Sequence, residues 1–415
     1  LKILHFADAH IGVSGNGRRD PITDLPVRVM DFLKSLDVIV DAAVSEAVDL
    51  VLFCGDAFHH RQPSPTLQRE WGRRIMRLSR ANIPTVLLVG NHDLSPALNR
   101  AHALDGFQTF DVPNIIVVDK PRFLKPADLG GLPLQIIALP YVTRSWLMAA
   151  KNLSAADPSM IHEQVSDAIR DIIKGWLEDS DPEIPVILAA HISVQGASYG
   201  GFRTMVLGSE AALEPALVRD ARFSYVALGH IHKPQDLNEG TQPPVIYPGS
   251  IERVDFGEAN EEKYFVIADI EPGEETHVAW HKLPIRTFVD RRVTLESGER
   301  VNEILRSALP GDDELRDAMV RLVVEYPREL EDLIDEKSLR DSLSMAFEFH
   351  FCRKPVTESR IRLPEDASFV YRPVADLLAE YLKEIRTNAA DTKELMEIAN
   401  KIMAEDIDAS PSLIE

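Results

Sequence analysis

The chain has 415 residues, 45% of them hydrophobic and 27% charged, a length that predicts two or three folded units and an apolar content ordinary for a globular core. No apolar run reaches the ~18 residues a membrane span needs, and no charged-then-apolar leader precedes Lys2-Ile3-Leu4-His5-Phe6, so neither a membrane protein nor a secreted one is expected. The net charge of −21 argues against a body coated by nucleic acid, because phosphate contacts need Lys and Arg.

In chain order, strand-length apolar runs fall at Ile3–Ala7, Leu50–Cys54, Thr85–Val89, Ile115–Val118, Leu134–Leu139, Val186–Ala190, Tyr225–Leu228 and Tyr264–Ile267. Amphipathic stretches such as Val38–Val48 and Ile161–Leu177 lie between them, which predicts an α/β layout with helices over the sheets. Cys54 sits in one of the apolar runs and reads as a core residue. With Cys352 far away and no zinc spacing, a reducing cytoplasm is the expected setting. Between Arg61 and Arg80 stand Arg61, Arg69, Arg73, Arg74, Arg77 and Arg80 against the single acid Glu70, with Trp71, Ile75 and Leu78 on one helical face. That stripe reads either as a solvated helix face or as a local nucleic-acid-facing patch on an acidic body.

Past Pro284 the pattern changes. Strands at Thr287–Leu295, Met319–Tyr326 and Ala346–Phe351, with two charged helices between them, predict a small α+β domain. Residues 354–373 contain three prolines and little periodicity and read as a linker. Two helical patterns follow, one carrying Val374, Leu377, Leu378, Tyr381, Leu382 and Ile385, the other Leu395, Ile398, Ala399, Ile402 and Met403. Asp391-Thr392-Lys393-Glu394 between them resembles a capping box.

Five polar clusters each follow an apolar run: Asp8-Ala9-His10; Gly55-Asp56; Gly90-Asn91-His92-Asp93; His191; and Gly229-His230-Ile231-His232. Loops leaving the carboxyl ends of strands are held by the sheet and open to solvent. Asp oxygens combined with neutral imidazoles suit first-row divalent ions such as Mn, Fe or Zn. Asp8 and His10, and likewise His230 and His232, are expected to share a side of an extended segment and so to chelate in pairs. A single His is more often a satisfied core or surface residue, the reading given to His5, His102, His162, His277, His281 and His350. Five clusters in this order are hard to reconcile with coincidence.

Taken together, Asp-x-His, Gly-Asp, Gly-Asn-His-Asp, His and Gly-His-x-His resemble the calcineurin-like metallophosphoesterase superfamily over residues 1 to about 270. The resemblance implies a two-sheet sandwich flanked by helices, with a small α+β capping domain and a C-terminal helical hairpin beyond it. It implies one metal on Asp8, His10, Asp56 and His232, and a second on Asp56, Asn91, His191 and His230, with Asp56 as the bridge. His92 would stand by the scissile phosphate, and Asp93 would orient the His92 ring through its other nitrogen.

Within the superfamily, Gly55-Asp56-Ala57-Phe58-His59 is similar to the DNA-repair branch, where the extra His, here His59 rather than its neighbour His60, helps manage the DNA phosphate. Tyr247-Pro248-Gly249-Ser250-Ile251-Glu252-Arg253, Phe256-Gly257-Glu258 and Lys263-Tyr264-Phe265 resemble the stretch after the last metal motif of SbcD-type nucleases, or else form a loop and hairpin with no role beyond structure. The resemblance implies the division 1–283 nuclease domain, 284–353 capping domain, 354–373 linker and 374–415 helix-loop-helix. It implies a manganese-dependent exonuclease and endonuclease acting on double-stranded DNA ends or hairpins, in bacterial cytoplasm close to the nucleoid. The implied partners are a second copy of the chain and an SbcC-type coiled-coil ATPase, the latter docked through Leu377, Leu378, Tyr381, Leu395, Ile398 and Ile402. Arg61, Arg69 and Arg73 are the candidate DNA contacts, with the dimer as their alternative use. A small-nucleotide phosphodiesterase and a mainly structural DNA-end clamp are the competing readings.

Overall fold

The computed structural model describes residues 1–13, 18–95, 100–143, 161–200 and 211–356, with isolated positions 378, 382, 392, 393 and 395–399. The strands are β1 (Lys2–Phe6), β2 (Leu50–Phe53), β3 (Thr85–Leu88), β4 (Ile115–Val118), β5 (Arg122–Leu124), β6 (Gln135–Leu139), β7 (Val186–His191), β8 (Ser193–Val194), β9 (Ala212–Leu213), β10 (Phe223–Gly229), β11 (Gln235–Asp236), β12 (Val245–Tyr247), β13 (Tyr264–Asp269), β14 (His277–Lys282), β15 (Phe288–Thr294), β16 (Met319–Pro327) and β17 (Glu348–Val356). The helices are α1 (Val27–Ser45), α2 (Pro65–Arg80), α3 (Asp105–Thr109), α4 (Ile161–Glu178), α5 (Pro215–Val218), α6 (Val301–Ser307), α7 (Asp312–Leu315) and α8 (Glu336–Ser342).

Two six-stranded sheets carry the architecture, in the orders β14-β13-β1-β2-β3-β4 and β11-β12-β10-β7-β6-β5. In the first, β1 to β4 run parallel and the β13–β14 hairpin joins β1 antiparallel. In the second, β6, β7, β10 and β12 run parallel, with β5 and β11 as antiparallel edges. Strand alternation sorts the apolar side chains into layers. Ile3, Ala7, Leu52 and Val86 of the first sheet meet Ile136, Ile187, Ala227 and Ile246 of the second in one core between the sheets. The opposite face of the first sheet, with Leu4, Phe6, Phe53 and Leu87, is covered by α1 and α2. The outer face of the second sheet, with Leu139, Leu188 and Val226, is covered by α4 through Val165, Ile169, Ile173 and Leu177.

This is the sandwich flanked by helices that the family resemblance implies. Every predicted strand has a counterpart within a few residues. The helix expected over Val38–Val48 starts eleven residues earlier, at Val27, and buries Val29, Phe32, Leu33, Leu36, Ile39, Val40 and Ala43 along one stripe. α2 buries Trp71, Ile75 and Leu78 as expected, and its N-cap Ser64 accepts a hydrogen bond from the Leu67 amide.

The chain divides into two compact units. One comprises Leu1–Arg291, Leu309–Leu322 and Lys337–Phe351, and the other Arg292–Ala308, Val323–Glu336 and Cys352–Glu415. Strands β15, β16 and β17 form a three-stranded sheet in that order. In the first unit Val289, Leu315, Ala318, Val320, Leu343 and Ala346 make a separate small core. In the second, Leu305 of α6 is fully buried, and Asn302 bonds to the Leu333 carbonyl and the Asp335 amide.

Candidate metal centre

The ligand-bearing loops leave the carboxyl ends of parallel strands in both sheets. Asp8 and His10 follow β1, Asp56 follows β2, and Asn91 and His92 follow β3, while His191 ends β7 and His230 and His232 follow β10. The first two loops are zipped together beyond their strands. Asp8 N donates to Gly55 O at 2.9 Å, His10 N to Asp56 O at 3.0 Å and Ile11 N to Ala57 O at 2.9 Å. Asp8 and His10 are not on an extended segment, contrary to the expectation from spacing. Their φ angles are 51° and 41°, and Asp56 and His230 also lie at positive φ, 63° and 95°. The strand periodicity ends before the ligands. Left-handed turns, held by the zipped amides, aim these side chains into the site, a costly conformation that gathers at functional positions.

Seven predicted ligands converge. His10 Nε2 and His232 Nε2 are 2.9 Å apart, with Asp56 Oδ2 3.7 Å and Asp8 Oδ1 4.0 Å from His10 Nε2. On the other side, His191 Nε2 lies 3.0 Å from Asn91 Oδ1 and 3.4 Å from Asp56 Oδ2, and His230 Nδ1 is 3.1 Å from Asn91 Oδ1. Asp56 thus faces both groups. Asp8, His10 and His232 form one compact donor set, and Asp8, Asp56 and His191 another.

The arrangement fits divalent cations on chemical grounds. His191 Nδ1 donates to the Cys54 carbonyl at 2.6 Å, so its Nε2 turns a lone pair toward two oxygens. His232 Nδ1 donates to Glu258 Oε1 at 2.7 Å, so its Nε2 turns a lone pair toward the His10 ring. Lone pairs opposed in a dry site need a proton or a metal between them. Without metal, His232 favours the proton despite its burial, through the hydrogen bond and charge of Glu258, and so does His191. Burial opposes its charge, but the charge and hydrogen bond of Asp56 prevail and push its pKa up to about 9. His10 goes the other way, driven well below the ordinary histidine value by burial and then by the His232 ring. Asp56, although buried, is held below the usual carboxylate range by His191 and His10.

Glycines make room for this convergence. A Cβ on Gly90 would lie 2.1 Å from Asp56 Oδ1, and one on Gly55 would lie 2.3 Å from the His191 ring.

His92 stands at the rim. Its amide donates to Asp56 Oδ1 at 2.8 Å, and its Nδ1 lies 2.7 Å from the His59 carbonyl. The expected Asp93–His92 ring contact is therefore replaced. Asp93 is fully buried beneath the loop, where it accepts from the amides of Asp56, Ala57, Phe58 and Gly90 at 2.9–3.2 Å. A carboxylate so placed braces the turn that presents Asp56 instead of steering a ring. Burial, followed by repulsion from Asp56, pushes its pKa up to about 7. The half-buried His59 ring lies 5.7 Å from His10 and stacks 5.8 Å from His92, while His60 is exposed. Burial, then His60 and His92, lower the His59 pKa to about 4.

The arginine stripe is largely neutralised from within. Glu70 pairs with Arg69, Arg73 and Arg74, and α1 supplies Asp37 to Arg74 and Arg77 and Asp41 to Arg77. Arg61 and Arg80 are exposed and make no ion pair among the described residues. Of the helical residues expected to dock a partner, Leu378 is half-buried and Leu395 and Ile398 are exposed; Leu377, Tyr381 and Ile402 lie outside the described residues.

Two residues quoted in the sequence only as family markers prove to touch the site. Glu258 holds the His232 ring, and fully buried Lys263 holds Glu258 at 2.8 Å and the His232 carbonyl at 3.1 Å. Tyr141 is a third residue beside the site. Its ring lies 6.2 Å from His191 and 6.1 Å from His230, and no spacing signal marked it.

The family model described as calcineurin-like phosphoesterase matches residues 1–234, a segment that includes all seven candidate ligands. The chain belongs to the calcineurin-like phosphoesterase family. The phosphoesterase is also similar to the SbcD component of the SbcCD nuclease from Bacillus subtilis (strain 168), 27% identical over 279 residues, covering 66% of this chain and 68% of that protein. Among solved structures, a dimetal phosphatase from Danio rerio matches with a TM-score of 0.39 and 12% identity, over 67% of this chain and 98% of that one. TT1561 of Thermus thermophilus matches with a TM-score of 0.35 and 13% identity, at the same coverages. Family membership together with a donor set of two carboxylates, an amide and four imidazoles supports a phosphoester hydrolase that uses divalent metal ions. No helix among the described residues is long and apolar enough to cross a membrane.

Proposed function

We propose that this phosphoesterase is a metal-dependent DNA nuclease acting on double-stranded ends or hairpins, as exonuclease and endonuclease, in company with an SbcC-type ATPase. The observation that carries the reading is the length of its similarity to a nuclease component: 279 aligned residues, against the 234 matched by the general phosphoesterase family. The similarity therefore continues beyond the shared metal motifs.

Asp8, His10, Asp56 and His232 would hold one ion and Asp56, Asn91, His191 and His230 the other, with manganese as the first candidate and iron or zinc as alternatives. Two such ions supply charge neutralisation for a phosphodiester and acidify water at neutral pH. The chain's own residues do the rest. His92 is fixed by its Nδ1–H bond to the His59 carbonyl, which leaves Nε2 to meet the phosphate; as the doubly protonated imidazolium it would give its Nε2 proton to the departing sugar oxygen and be left as the neutral Nδ1–H ring. The half-buried His59 ring, stacked beside His92, steadies the phosphate. Asp93 keeps the Asp56 turn rigid, so no reorganisation accompanies substrate binding. The paired arginines of α2 favour Arg61 over Arg69 and Arg73 as the DNA contact. The homodimer, the docking role of Leu378, Leu395 and Ile398, and a cytoplasmic setting belong to the same proposal.

The test is cleavage of end-labelled linear double-stranded DNA with Mn²⁺ by the full chain and by a His92→Ser variant. Metal-dependent shortening that the variant loses, while still binding Mn²⁺, supports the proposal. Turnover of a small nucleotide diester with DNA left intact, even after addition of an SbcC-type ATPase, overturns it.

A further inference from the structure

Where the remote nitrogen of a metal-facing imidazole is hydrogen-bonded, that bond selects which nitrogen carries the lone pair. His191 uses the Cys54 carbonyl for this and His92 uses that of His59. His232 uses a carboxylate: Glu258 Oε1 lies 2.7 Å from its Nδ1. A carboxylate partner also raises the electron density of the ring, which a carbonyl does less.

Glu258 is itself pinned. Its second oxygen lies 2.8 Å from Lys263 Nζ, accepts from the Val254 amide at 3.0 Å, and is 3.3 Å from Ser250 Oγ. Lys263 is fully buried. The residue sits in a short 3-10 turn, Phe256–Glu258, whose N-cap Asp255 accepts from the Gly257 amide. At the head of that turn, Phe256 is seated among residues of three strands. Its ring is 4.9 Å from Phe288 of β15 and 5.4 Å from His350 of β17, both edge-on, and the Arg321 guanidinium of β16 stands 4.7 Å over it. Arg321 is locked by a two-pronged pair with Asp290 of β15 at 2.7 and 2.8 Å. An uninterrupted chain of contacts thus runs from these strands through Phe256 and Glu258 to a metal-facing histidine.

We propose that Glu258 is a positioning residue that holds His232 as a metal ligand, and that Phe256, clasped by Phe288, Arg321 and His350, sets where Glu258 stands. The inference rests on the metal-centre reading above and deepens it. It makes the seating of Phe256 among Phe288, Arg321 and His350 a determinant of metal affinity at the His10–His232 side. The other ion, held away from His232, is left unaffected.

The experiment is calorimetric titration of Mn²⁺ into the metal-free full chain, unaltered and as Glu258→Ala, Glu258→Gln and Phe256→Ala, with each melting temperature recorded in chelator. Glu258→Ala is expected to weaken one of two Mn²⁺ sites about 10–100-fold and leave the other within about twofold. Glu258→Gln keeps an acceptor for Nδ1–H and is expected to recover part of that loss. Phe256→Ala is expected to weaken the same site several-fold. Should the alanine at 258 not fold, the glutamine variant and Phe256→Ala carry the test.

Unchanged affinity at both sites in Glu258→Ala overturns the proposal. So does an equal loss at both sites that tracks the melting temperature, or a glutamine variant as weak as the alanine. Full affinity in Phe256→Ala overturns the clasp alone. Failure of the unaltered chain to take up Mn²⁺ overturns the metal-centre reading itself, and the inference with it.

Discussion

The Asp93 carboxylate accepts the backbone amide of Asp56 at 3.0 Å, so one buried acid braces the turn that presents another. Ala57, Phe58 and Gly90 donate to the same carboxylate. Asn at this position would turn an NH₂ group toward backbone donors. Asp93→Asn is therefore expected to cost about 2–4 kcal/mol of stability, the penalty for stranding buried donors. It should also weaken Mn²⁺ binding although Asp93 is not a ligand. Urea unfolding in chelator, followed by metal titration, checks both; a variant with unaltered unfolding refutes the bracing role.

A second expectation concerns space. Because a Cβ on Gly90 would sit 2.1 Å from Asp56 Oδ1 and 2.3 Å from the Asp56 amide, Gly90→Ala must displace backbone and not merely the end of a flexible side chain. Loss of more than about 2 kcal/mol is expected, together with loss of metal uptake. Differential scanning calorimetry with and without Mn²⁺ reads both: the metal-induced rise in melting temperature should vanish.

His5 gives a pH dependence. It is fully buried between the sheets, its Nδ1 2.9 Å from the Tyr225 hydroxyl, and burial depresses its pKa to about 3. The folded protein thus keeps His5 neutral where the unfolded chain, with an ordinary value near 6.5, takes up a proton. Its full contribution is present above pH ~6.5 and is lost as pH falls toward ~3. At pH 5 the loss amounts to about 2 kcal/mol relative to pH 8. His5→Gln should flatten this part of the acid profile in denaturant titrations run at both pH values. An unchanged slope would remove His5 as its source.

On α2, the ion pairs separate two neighbouring arginines. Arg74 is mostly buried between Glu70 and Asp37, and Arg73 reaches Glu70 from a largely exposed position. Arg74→Ala is expected to destabilise by about 1–3 kcal/mol, whereas Arg73→Ala should fall within about 0.5 kcal/mol. Thermal melts of the two variants side by side decide it, and equal effects would argue against a buried network around Glu70.

The α/β layout was legible in the sequence because its parallel strands are buried on both faces and so read as unbroken Val/Ile-rich runs, whereas the two-sheet sandwich came only with the family resemblance. The ligand set was legible because each cluster sits just past such a run. Strand periodicity carried no information on how Asp8 and His10 point, since left-handed turns set by long-range amide bonds are not written in local spacing. The bracing role of Asp93 is hidden from the sequence for a related reason. Its neighbour in sequence is His92, but three of its four amide partners belong to a loop more than thirty residues away. The same holds for α2, where a count of arginines could not reveal that α1 returns Asp37 and Asp41 to meet them. Glu258 and Lys263 were visible as characters in a motif, but their grip on His232 appears only once β10 and β13 are folded.

The placement of β1 has a consequence during synthesis. This strand lies inside the first sheet, between β2 and β13, so one of its edges stays open until Tyr264–Asp269 has been made. At translation rates of roughly 5–20 residues per second, that interval is on the order of tens of seconds. Over that time an apolar strand edge is available to other chains. The residues that hold Glu258 directly, Ser250, Val254 and Lys263, arrive with this late segment, whereas Phe288, Arg321 and His350, which clasp Phe256, come after it, so the sheet can close before His232 is fully fixed.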